Sequence, residues 1–125
     1  MPYEYVIEQR PRLVYLRRRG EADVAGWRET MLRMTTDPAF ATGTPILFDL
    51  TASDSNPPPG QSQVLAAMWR DLVGDSCVAI VASKDATRAL AKHLEIISGG
   101  HIRAFDNVDE ARAWLTASGT RQAKT

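Results

Sequence analysis

The groups in this 125-residue chain best able to do chemistry are one carboxylate, three serines and two histidines. Asp49 and Thr51 close the apolar run "ILFDLT", and Ser53, Ser55 and Ser62 follow in "SDSNPPPGQS". In an α/β protein the ground just past a strand's carboxyl end is where ligands usually sit. Asp49, Ser55 and His93 are the raw material of a hydrolytic triad, yet nothing around the serines resembles a nucleophile elbow. His93 and His101 have no cluster of carboxylates at ligand spacing, so they make no metal site. Gly99-Gly100 precedes a strand instead of opening a helix, which removes the usual phosphate-binding loop. Catalysis is therefore not expected.

The same residues have a structural reading. Prolines fix φ and restrict the residue before them, so "NPPPG" makes a stiff, extended lead-in to the next helix. Asp and Ser satisfy backbone groups locally as turn formers. Asp49 is either a polar anchor for a ligand or a hydrogen-bond partner for neighbouring backbone.

Fifteen basic residues balance fifteen acidic ones, so the chain lacks the electrostatic footprint of a nucleic-acid binder. The densest charge run, "RRRGE" from Arg17 to Glu21, reads as a solvated strand end or as a contact for an acidic partner or lipid headgroup. The single cysteine, Cys77, lies in "CVAIVA" and reads as a small buried hydrophobe. No apolar run approaches the ~18 residues of a membrane span, and "MPYEYVIEQR" is no signal peptide. The expectation is a protein of the reducing cytoplasm.

The elements that must position these groups follow from periodicity. "YEYVIEQR" and "RLVYLRRR" flank Arg10-Pro11 as an antiparallel hairpin. Asp23 then caps a helix with Val24, Trp27, Met31 and Met34 on one stripe, stopped by "TTDPAFATGTP". "ILFDL" is a strand covered on both faces. A second helical stripe holds Val64, Leu65, Met68, Trp69 and Leu72, and "CVAIVA" is a central strand. Ser83 caps a third helix with Ala86, Leu90, Leu94 and Ile97 inward. "HIRAF" is the last strand, and Asn107 with Glu110 opens a final helix bearing Val108, Ala111, Trp114 and Leu115. The order ββαβαβαβα predicts a single α/β domain over residues 1–118, with a mixed, mostly parallel five-stranded sheet and helices on its faces. Residues 119–125 read as a disordered polar tail.

With these elements in place, the blocks "GEADVAGW", "DPAFATGTPILFDLT", "VAIVASKDATRALAKHLE" and "RAFDNVDEARAWL" resemble the bacterial SpoIIAA-like family. That family's fold is related to STAS domains and to CRAL-TRIO lipid-transfer domains. The resemblance implies a small non-catalytic domain without metal or organic cofactor. Its CRAL-TRIO side implies a bound amphipathic molecule or lipid, with at most peripheral, transient membrane contact. Its STAS side implies a regulatory protein-interaction module controlled by a phosphorylated serine, for which Ser53, Ser55 and Ser62 are the candidates.

The first reading places a ligand in an apolar cleft beneath the second and third helices. Its pocket would be drawn from Asp49, Thr51, Leu65, Met68, Trp69, Leu90, His93 and Leu94. Polar groups such as Asp49, Thr51 or His93 would orient a headgroup.

Overall fold

The computed structural model describes residues 3–9, 12–19, 24–41, 43–52, 67, 71, 76–82, 85–97 and 101–123. Its described elements are β1 (Tyr3–Gln9), β2 (Arg12–Arg18), α1 (Val24–Thr36), β3 (Ile46–Asp49), β4 (Val78–Val81), α2 (Asp85–Ile97), β5 (Ile102–Phe105) and α3 (Val108–Ala123). The strands form one sheet in chain order, β1-β2-β3-β4-β5. β1 and β2 pair antiparallel, with Tyr3 opposite Arg18 and Gln9 opposite Arg12. The other neighbours are parallel. This is the mixed, mostly parallel α/β sheet that the sequence predicts.

Side chains alternate across a strand, so each strand contributes to two layers. Val14, Leu16, Ile46, Phe48, Val78, Ile80 and Ile102 point to one side, where Trp27, Met31 and Met34 of α1 and Ala91 and Leu94 of α2 cover them. Leu13, Leu47, Ala79 and Val81 point to the other, beneath Ala111 and Leu115 of α3. β3 and β4 are buried at every position, as expected of strands covered on both faces. Cys77 is buried in the second layer. Each large apolar side chain taken out of water contributes about 1.5–3 kcal/mol.

The connection after α1 is built from its own polar groups. Asp37 accepts from the Ala39 amide at 2.9 Å and from the Tyr5 hydroxyl at 3.0 Å, tying the turn to β1. Thr44 donates its hydroxyl to the Ala41 carbonyl at 2.6 Å. Gly43 lies between them at φ 87°, a left-handed backbone that a side chain would strain. At the start of α3, Asn107 accepts the Glu110 amide at 2.8 Å, the N-cap bond that its sequence position predicts.

Two expectations change. The arginine run is not uniformly solvated: Arg19 is exposed, Arg17 is half-buried and Arg18 is only 4% exposed. Long aliphatic stems let arginines lie along apolar surface within a strand. The last helix runs on to Ala123, through most of the stretch 119–125 that composition assigns to a tail. The proline-rich loop, the helical stripe from Val64 to Leu72, and the caps Asp23 and Ser83 lie outside the described residues.

Leu47 is fully buried between β2, β4 and α3. Leu47→Ala is expected to destabilise the fold by about 2–5 kcal/mol. Val6→Ala, on an exposed position of β1, should stay within about 0.5 kcal/mol of the parent. Urea unfolding midpoints of the two variants check both.

Candidate functional site

Parallel register sets Arg17 of β2 beside Asp49 of β3, at the strands' carboxyl ends. Tyr15 is two residues before Arg17 and therefore on the same face. Its hydroxyl donates to Asp49 Oδ2. Asp49 Oδ1 accepts the Thr51 amide at 2.9 Å and the Thr51 hydroxyl at 2.7 Å, closing an Asx turn as the chain leaves the strand.

Asp49 is 4% exposed. Burial pushes its carboxyl up, but hydrogen bonds from Tyr15 and Thr51 and the Arg17 charge outweigh this and hold it below its ordinary value. The same contact works oppositely on its donor. Burial, then the hydrogen bond to Asp49 and its charge, push the Tyr15 hydroxyl up to about 12. Arg17 Nε is buried without a hydrogen-bond partner among the described residues.

The cluster extends outward through α3. Arg112 straddles Glu8 of β1 with two bonds, at 2.8 and 2.9 Å, and its guanidinium lies 5.5 Å from the Tyr15 ring centre. The bond from Arg112 holds the Glu8 carboxyl below its ordinary value. This pair pins the helix to the hairpin, and Asp49 pins the hairpin to the central sheet. Both oxygens of Asp49 are engaged by the protein itself, so its geometry is that of a structural anchor.

Of the sequence-predicted pocket residues, those that are described do not share one face of the sheet. Asp49 faces the α3 side of the sheet, whereas Leu94 belongs to the layer on the opposite side. β3 and β4 fill the space between, so no single cleft holds both. Thr51 and His93 are exposed, as is His101. Leu90 lies on α2, but its side chain is outside the described residues, as are Leu65, Met68 and Trp69. The candidate phosphoacceptors Ser53, Ser55 and Ser62 also lie outside them.

A different concavity is present, of about 540 Å³, at the free edge of β5 where α2 and α3 lean in from opposite faces. Arg88, Lys92 and Glu95 form the α2 wall, and Phe105 and Trp114 form the aromatic wall beneath α3. The two rings are 5.6 Å apart and tilted by 44°. Arg103 lies 5.8 Å from the Phe105 ring centre and 5.9 Å from that of Trp114. Arg88 pairs with Asp106 at 2.8 Å. Glu95 accepts the outward Ala104 amide at 3.1 Å, which satisfies the edge and denies that amide to an added strand.

Sequence signals for this groove exist. Arg88, Lys92 and Glu95 fall at spacings of four and three, one face of a helix, and Arg103 and Phe105 alternate onto one face of β5. What the sequence does not carry is that β5 is an edge.

The pH dependence of the Asp49 anchor is set by its signs. A depressed carboxyl gives stability that is present above the unfolded value of about 3.9 and is lost as pH falls through the lower folded value. A raised phenol gives stability that is complete below the unfolded value of about 10 and is lost as pH rises through the folded value. Tyr15→Phe is therefore expected to cost about 1–3 kcal/mol near neutrality and to flatten both flanks. Urea midpoints across pH, with tyrosinate absorbance on the alkaline side, check this. Unchanged flanks would remove the anchor.

No family model matches the chain, and no curated protein matches it. Among solved structures, it is similar to an uncharacterized DUF3478-family protein from Shewanella loihica PV-4 that has a SpoIIAA-like fold. The two share 14% identity over 90% of this chain and 91% of that one, with a TM-score of 0.63. A likeness at that identity concerns architecture, since one fold hosts many functions. The chain has a SpoIIAA-like fold.

Proposed function

We propose that this chain is a non-catalytic binding domain for an amphipathic small molecule, held in the groove at the β5 edge. The observation that carries the reading is the groove's composition: two tilted aromatic rings on one wall and a charged rim on the other, around a volume in the ordinary range for small-molecule sites, about 300–1,000 Å³. The groove reaches Ala82 and Asp106, just past the carboxyl ends of β4 and β5, the end of the sheet where α/β proteins usually bind ligands.

Affinity would come from burying the ligand's apolar area, at about 25 cal/mol per Å² before ordering costs are subtracted. Relative to a cleft under the helices, this reading places the site at the sheet's edge, where the described residues form a concavity.

Peripheral membrane contact has less to support it. Among the described residues, the large exposed apolar side chains Val6, Leu32 and Ile96 lie on three separate elements. Isolated exposed apolar residues are ordinary. Among the described residues, no helix is long and apolar enough to cross a membrane. A cytoplasmic setting and a protein partner are part of the proposal.

Native mass spectrometry of the purified protein tests the reading. An added lipid-like or aromatic mass, reduced in Trp114→Ala, is expected. A bare chain, together with no shift of the Trp114 indole signal when amphiphiles are added, would contradict it. An added phosphate on Ser53, Ser55 or Ser62 would favour the STAS-type regulatory module instead.

A further inference from the structure

The charges around the groove are not equally available. Three cations, Arg88, Lys92 and Arg103, face three carboxylates, Glu95, Asp106 and Glu110. Asp106 is taken by Arg88 at 2.8 Å. Glu95 is taken by the Ala104 amide and lies 3.9 Å from Lys92. Glu110 sits in the first turn of α3, where the helix's positive end compensates a carboxylate.

Arg103 differs from the other two cations. Its contacts are the faces of Phe105 and Trp114, and it has no carboxylate or hydrogen-bond partner among the described residues. The guanidinium carbon lies over both rings at cation–π range, and the group's N–H donors are unspent among the described residues. That fork matches a carboxylate or phosphate with two parallel bonds. Because it lies on the same rings that form the apolar wall, one ligand can meet both features at once.

The geometry points to Arg103 as the recognition residue for an oxyanion: the groove takes a planar or aromatic body carrying a carboxylate or a phosphate monoester. This inference rests on the small-molecule reading above and adds the ligand's charge. Arg103 is exposed on an edge strand, so replacing it leaves the core untouched.

The experiment follows the Trp114 indole signal by NMR while the full chain is titrated with naphthoate, naphthyl phosphate, naphthalenemethanol and acetate. At least one of the two aromatic anions is expected to bind about tenfold or more tighter than the neutral alcohol, as two charge-assisted hydrogen bonds would give. Which of them binds tighter tells carboxylate from phosphate. Acetate should be far weaker than either.

Arg103→Gln is expected to erase the preference for the anions, bringing the ratio of anion to alcohol affinity to about one. Arg103→Lys should keep only part of it, because an ammonium lacks the planar fork. Equal binding of the anions and the alcohol overturns the inference and leaves the small-molecule reading standing. Acetate binding as tightly as naphthoate overturns the requirement for an aromatic body. No movement of Trp114 with any compound overturns both readings.

Discussion

Burial of β3 and β4 on both faces is the constraint from which the rest of the molecule follows. Every residue of both strands is buried, so the sheet is a wall between two apolar layers. β3 and β4 separate the two layers. α1 and α2 cover one side and α3 the other. Among the described residues, a concavity is found where the wall ends, at the strands' carboxyl tips and along β5, the last strand of the described sheet.

Asp49 is the exception inside this apolar wall. A buried carboxylate is costly unless its hydrogen-bonding capacity is met. Tyr15 and Thr51 meet it here, with Arg17 alongside. The arrangement links three parts of the chain that are far apart in sequence: the hairpin, the end of the central strand, and, through Arg112 over the Tyr15 ring, the last helix. Its value is in register. A slip of β2 by one residue would turn Tyr15 and Arg17 to the opposite face and leave Asp49 buried without partners.

Much of the fold is legible in the sequence because each element carries its own periodic signal. The stripe Trp27, Met31, Met34 is buried, and "ILFDL" and "CVAIVA" hold the sheet's interior strands. The cap at Asn107 is readable from one residue and its spacing to the next turn. The site is less legible because its parts are set by pairing between distant segments. Tyr15 and Asp49 are 34 residues apart, and nothing local to either announces the other. The same holds for the division of Asp49 from Leu94, which depends on which face each residue takes. Arg103 looks like an ordinary strand arginine until β5 is known to be an edge and Trp114 to lie beside it.

The groove and the sheet's two-sided packing are thus one claim about where this molecule has room. Intermolecular nuclear Overhauser effects between a bound aromatic amphiphile and assigned side chains test it most directly. The account predicts cross-peaks to Phe105 and Trp114 at the β5 edge, with none to Met31, Leu94 or Leu47. Cross-peaks to Met31 and Leu94, placing the guest between α1, α2 and the sheet, would contradict it.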